Sequence, residues 1–222
     1  HLSSQLDIRL WVAATSIVTS NGRVVGVDTD RGERHACDYL VVGPGQEGAE
    51  WLMKEASRLG LKRYDNPVDL GVRVELQAAV LEEFTRALYE AKMEYFSRSF
   101  DDRIRTFCMC PYGEVTLEAT GGTDPVSTVN GHSYADRHTP NTNFALLVST
   151  TFTQPFRDPI AYGRSVAHLA NLLSGGVLVQ RLGDLQEGRR TTPERLGRGI
   201  VEPTLASATP GDLSCVPCPT AF

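Results

Sequence analysis

Val68, Leu70, Val72 and Val74 alternate with Asp69, Gly71, Arg73 and Glu75. Strand side chains point to opposite faces in turn, so this spacing predicts a half-buried strand within residues 66–75. An extended pattern also runs through residues 10–45. Leu10 to Ala14 is apolar, Ser16 to Thr19 continues it, and Asn21-Gly22 is a hairpin turn of two residue types that tolerate positive φ. Arg23 to Thr29 is the return strand, and Asp30 to Arg34 forms another turn. Tyr39-Leu40-Val41-Val42 is a continuous apolar run, the kind buried on both faces of a sheet. It ends in Gly43-Pro44-Gly45.

Helical spacing places Trp51, Leu52, Ala56 and Leu59 on one helix over 49–59, stopped by Gly60. A second helix is expected over 78–92, with Val80, Leu81, Phe84, Leu88 and Tyr89 as its apolar stripe. A third spans 162–173 and closes at Gly175-Gly176. Between these lie a strand through Cys108 and Cys110, a partner strand over 114–119 and a loop over 121–125. A short strand over 127–130, a turn at Asn130-Gly131-His132-Ser133 and a buried strand over 143–151 follow. The last fifty residues are loop-rich, with five prolines from Pro193 to Pro219. No internal repeat is visible. The expected fold class is α/β in the mixed α+β sense.

Cys108-Met109-Cys110-Pro111 carries the most distinctive chemistry. Two thiols two residues apart share a strand face, not a helix face, and Pro111 and Gly113 turn the chain just after them. Three readings are open. Cys215-x-x-Cys218 could complete a four-thiol zinc site. The pair could be a redox dithiol or reactive thiol, with Arg103 and Arg105 as the nearby cations. Or both could be small packed residues. In the turn that follows, His132 beside Asn130 can act as acid or base near neutral pH, or simply be solvated. His138 and Asn141-Thr142-Asn143 add polar groups. Arg73 and Glu75 on one strand face can hold a substrate carboxylate or pair with neighbours. Arg181, Arg189 and Arg190 make a basic loop.

The bulk composition narrows the classes. The 222 residues are 41% hydrophobic and 22% charged, ordinary for a globular protein. A formal charge of −5 argues against nucleic acid as a partner. No apolar run reaches the roughly 18 residues that would span a bilayer. Five irregularly spaced cysteines do not form a secreted disulfide framework, so a cytoplasmic setting is expected. The first residue is His1, which suggests a fragment or a processed product.

Taken together, several segments resemble one family. Tyr39 to Gly45, Asn66 to Glu75, Arg105 to Gly113, Val129 to Ser133 and Asn141 to Val148 occur in the order seen in uncharacterised FAD-dependent dehydrogenases, akin to the aminoacetone-oxidase-like flavoproteins. Further matches run to Gly211-Asp212-Leu213-Ser214. The resemblance implies the end of a Rossmann-type FAD domain with a β-meander over 1–48, a connecting helix over 49–65 and an inserted mixed-sheet substrate domain over 66–214. An aberrant tail over 215–222 follows. It implies FAD as cofactor, a small-molecule substrate and hydride transfer between the two. Gly43, Pro44 and Gly45, similar to the second dinucleotide motif of two-domain flavoproteins, would approach the cofactor. Cys108, Cys110, His132 and Asn130 would be catalytic. Arg73, Tyr112, Gly113, Asn141 and Asn143 would bind substrate, with no metal. The phosphate-binding Gly-x-Gly-x-x-Gly is absent, so the isolated polypeptide is expected to bind FAD weakly or not at all. The alternative is an inactive remnant or a thiol-based metal-binding module.

Overall fold

Asn21 and Gly22 both take left-handed backbone, φ 51° and 75°, and join β1 (Ala14–Ser20) to β2 (Arg23–Thr29). Ser20 pairs with Arg23 across this two-residue turn. A second turn, with Gly32 at φ 74°, leads into β3 (Arg34–Ala36), which completes an antiparallel meander of order β1-β2-β3. The computed structural model describes residues 6–45, 47–64, 66–99, 101–119, 125–152 and 158–216. The chain divides into two compact units, His1–Arg63 and Tyr64–Phe222.

In the first unit, α1 (Ala49–Arg58) ends where Gly60 adopts φ 67°. The Gly60 and Leu61 N–H groups return to the Ser57 and Ala56 carbonyls, the Schellman arrangement. Three side chains of α1 occupy the free edge of β1. Glu55 accepts the Ile17 N–H at 2.8 Å, Arg58 donates to the Ile17 carbonyl at 2.6 Å, and Trp51 Nε1 donates to the Thr15 carbonyl at 3.1 Å. Glu55 is 6% exposed, yet its carboxyl lies below the usual range, because the Arg58 guanidinium outweighs burial and the Ile17 N–H adds to it. Tyr39–Val42 does not form the expected third strand. Tyr39 is 93% and Val41 97% exposed. A run apolar on both faces needs a layer packed over each face, and among the described residues nothing covers Tyr39 or Val41.

The second unit is built on a four-stranded antiparallel sheet of order β4-β9-β6-β5: β4 (Val68–Gln77), β5 (Glu94–Phe96), β6 (Arg103–Cys110) and β9 (Asn141–Thr150). A hairpin of β7 (Glu114–Ala119) and β8 (Ser127–His132) forms a separate two-stranded sheet packed against it. Beyond these come α3 (Pro159–Ser174), capped by Asp158 and stopped by Gly175 at φ 70°, and a short parallel pair, β10 (Leu178–Val179) with β11 (Thr209–Pro210). The alternation of β4 is as expected except at Val72, which is 39% exposed. Val74 and Leu76 line a core with Phe144, Met109, Ala91 and Leu81, while Arg73 and Glu75 face the other way.

Three expectations in this unit are corrected. The helix over 78–92 is reduced to a 3-10 turn at Ala78–Val80 and α2 (Glu82–Ala87), and Leu88 is extended. Val80, Phe84, Leu88 and Tyr89 are exposed, and an unburied stripe does not sustain a long helix by propensity alone. Residues 114–119 do form a strand, but they pair with β8 rather than with β6. The left-handed Tyr112 (φ 50°) carries the chain off the main sheet. Asn130-Gly131-His132 is not a turn but the end of β8. The expected loop at 121–125 falls, apart from Pro125, outside the described residues, as does Cys218.

Candidate functional site

The site begins with a break in the alternation of β6. Phe107 pairs with Ala145, but Cys110 pairs with Asn143, so three residue steps on β6 match two on β9. This is a β-bulge, with Cys108 at φ 48° as the extra residue. A regular strand would have turned both thiols toward the core face. The bulge instead sends Met109 into the core and Cys110 to the Arg73 face. The shared strand face expected for the two cysteines is therefore not what brings them together.

Arg73 holds the bulge from across the sheet. Its Nη2 donates to the Cys108 carbonyl at 2.8 Å and to Cys110 Sγ at 3.3 Å, and its Nε donates to Asn143 Oδ1 at 2.7 Å. Among the described residues no carboxylate lies within ion-pair distance of this half-buried guanidinium. Asn143 is 0% exposed, and its Nδ2 has no hydrogen-bond partner among the described residues. Leaving such a donor unpaired costs about 1–3 kcal/mol. From the other side, Glu90 Oε1 accepts the Cys108 N–H at 2.9 Å. The Cys110 thiol is pushed up by burial first and then by the Cys108 thiol beside it. Arg73 and the Ser133 hydroxyl pull it down, with less effect. Cys110 is thus a neutral thiol at neutral pH, and its Sγ faces the Cys108 carbonyl at 3.5 Å.

The hairpin closes over this face through glycines. A Cβ on Gly131 would stand 1.7 Å from Arg73 Nη2 and 2.2 Å from Asn143 Oδ1. A Cβ on Gly113 would meet the His132 carbonyl at 2.4 Å and Cys110 Cβ at 2.9 Å. Only glycine lets the two layers approach this closely. One step along the same face, Glu75 accepts from Thr204 Oγ1 at 2.6 Å, from the Thr204 N–H and from Asn141 Nδ2 at 3.0 Å. Asn141 also donates to the Glu202 carbonyl at 2.9 Å. Residues 202–204 are thereby tied to the sheet.

The structure thus gathers Arg73, Cys108, Cys110, Gly113 and Asn143. Asn141 sits in the neighbouring Glu75 network. Tyr112 donates its hydroxyl to Glu82 Oε1 at 2.7 Å and rests edge-on to His138. Asn130 and His132 do not join the cluster. They alternate with Gly131 and are exposed, with the His132 ring edge-on to Tyr134. Gly131 sits in a strand and not in a turn, and Glu90 carries no signal in the sequence, because its position inside an expected helix hides its reach to Cys108. Within the basic loop, Asp184 is buried and accepts from Arg189 Nε and Thr191 Oγ1, each at 2.8 Å. Burial raises its carboxyl, but Thr191 and the two arginines outweigh that and hold it low. This cluster anchors the C-terminal loops. Among the described residues no three His, Cys, Asp or Glu side chains gather to hold a metal, and no helix is long and apolar enough to cross a membrane.

Gly43, Pro44 and Gly45 lie in the first unit, ahead of α1. A Cβ on Gly43 or Gly45 would meet nothing within 4 Å, Gly45 has φ 68°, and the N-cap Gly48 leaves the helix start without a side-chain cap. Pro44 itself lies against the helix start, where a Cβ on Gly48 would stand 2.3 Å from Pro44 Cβ.

Fold and site define a mixed α+β protein whose antiparallel sheet carries a guanidinium, a buried amide and a thiol on one face. The sequence profile of the FAD-dependent protein, C-terminal domain-like family matches residues 67–209, and the chain belongs to that family. Comparison with curated proteins finds no match.

Proposed function

We propose that the chain is part of an FAD-dependent oxidoreductase of the dehydrogenase type, whose second unit forms the substrate side. One observation carries this reading: in a family of FAD-dependent proteins, the bulge at Cys108 delivers Cys110 to the face that holds Arg73 and Asn143. A half-buried guanidinium without a carboxylate partner among the described residues suits a small anionic substrate. Asn143 fixes its orientation, and the neutral Cys110 thiol adds a polar but uncharged neighbour. Gly43 and Gly45 would lie against FAD, within a Rossmann-type portion, and the flavin would supply a hydride acceptor when bound. A small-molecule substrate and a cytoplasmic setting accompany this reading.

The test is anaerobic titration of the full-length, FAD-reconstituted protein with small carboxylate and amine substrates, followed through the flavin absorption bands. Bleaching by a substrate, with a KM raised at least about tenfold by Arg73→Met, is the expected result. A preparation that stays colourless after reconstitution would refute the reading.

A further inference from the structure

Cys108 adopts a backbone conformation that non-glycine residues rarely take, and it is held there from both sides. Glu90 takes its N–H and Arg73 its carbonyl. Strain of this kind persists where the surroundings over-determine it, and it clusters at working sites. Here its effect is to compress the strand. Three steps of β6 share the length of two on β9, about 6.6 Å at about 3.3 Å per residue. Cys108 and Cys110 are therefore drawn closer than the about 6.6 Å of two regular strand steps, within the roughly 4.4–6.8 Å Cα range that a disulfide spans. In an uncompressed strand they would stand near its far end.

The two thiols also differ in setting. Both are free, Cys108 half-buried and Cys110 buried. Burial raises Cys110, so it stays protonated at neutral pH and is the poorer first attacker. Arg73 Nη2 lies 3.3 Å from its sulfur, placed to stabilise negative charge once that proton leaves. A half-buried thiol beside a buried partner is the arrangement in which one attacks and the other resolves.

We propose that Cys108 and Cys110 form a dithiol site that reduces low-molecular-weight disulfides, Cys108 attacking first and Cys110 resolving. Cys108 loses its proton to solvent and attacks one sulfur of R–S–S–R. A Cys108–S–S–R bond forms, the original S–S bond breaks, and RS⁻ leaves and is protonated. Cys110 then gives up its proton to solvent and attacks Cys108 Sγ. The Cys108–Cys110 bond forms, the bond to SR breaks, and the second RS⁻ leaves and is protonated. The protein dithiol loses two electrons and the small disulfide gains them. Arg73 is a positioning residue for the second step. The proposal goes beyond the flavin reading and does not need it, because its readout is thiols and not flavin absorbance. Either can fail alone.

The test treats the reduced full-length protein with oxidised glutathione and follows the peptide carrying Cys108-Met109-Cys110 by mass spectrometry. Wild type is expected to lose two hydrogens on this peptide and to release two reduced glutathiones. Cys110→Ser should hold one glutathione on Cys108, and Cys108→Ser should leave Cys110 unmodified. Arg73→Lys should slow closure more than adduct formation, so that the adduct accumulates. A lasting glutathione adduct on wild-type Cys108, or two unreacted thiols while the exposed Cys215 is modified, would overturn the proposal. The wild-type result decides even if a variant fails to fold.

Discussion

Replacing Gly131 by alanine puts a methyl group where the Arg73 guanidinium lies. The clash is with a side-chain end, so the guanidinium can move, but moving it breaks its bonds to Asn143 Oδ1 and to the Cys108 carbonyl. Hydrogen bonds to a charged group are worth about 1.5–3 kcal/mol each. Arg73 is half-buried, so water recovers part of this and the low end applies. Gly131→Ala should therefore destabilise the second unit by about 3 kcal/mol. In an Arg73→Met background the guanidinium is gone, and only the approach to Asn143 Oδ1 remains. The same substitution should then cost about 1 kcal/mol, a coupling of about 2 kcal/mol in a double-mutant cycle. Urea unfolding followed by far-UV circular dichroism measures this. The protein's two tryptophans, Trp11 and Trp51, both lie in the first unit, so their fluorescence serves as an internal control that should not move. Equal costs in the two backgrounds would show that the hairpin does not rest on Arg73.

Three further outcomes are expected. Gly71→Ala should destabilise the main sheet by about 3 kcal/mol or more, because its Cβ would lie 1.9 Å from the Leu146 carbonyl oxygen, a backbone atom that cannot step aside; a smaller shift in the circular dichroism transition would show the strand pair to be more yielding. Glu55 is held below its ordinary value of 4.5, so its contribution is complete above that pH and is lost as the pH falls through the lower folded value. The fluorescence-detected urea midpoint should drop below about pH 4.5, and Glu55→Gln should flatten that decline; parallel acid profiles would rule the carboxylate out. Glu75→Gln should weaken the tie to Thr204 and Asn141 and speed tryptic cleavage after Arg198; an unchanged cleavage rate would mean that 202–204 is held by other contacts.

Local chemistry made much of this fold legible. Asn21-Gly22 stated its own turn, Gly60 and Gly175 their helix ends, and Val68 to Val74 the strand and its faces. Tyr39–Val42 and the stripe of α2 misled for one reason. An apolar pattern reports that a surface wants covering, but not whether the described chain covers it. The bulge left no trace in the sequence, since a left-handed cysteine looks like any other cysteine. Arg73 and Asn143 were recognised as polar groups on strands. Their meeting depends on the β4–β9 register, and Gly131 joins them only because the hairpin folds back. Such contacts across some 70 residues follow from topology, not from local pattern.

The grip of α1 on β1 gives the meander one shut margin and one that stays available. With the outward groups of Thr15 and Ile17 already spoken for by Trp51, Glu55 and Arg58, no further strand can join the sheet at β1. Any extension has to add at β3, beside Arg34 and Ala36. The helix thereby sets the direction in which this small sheet can grow.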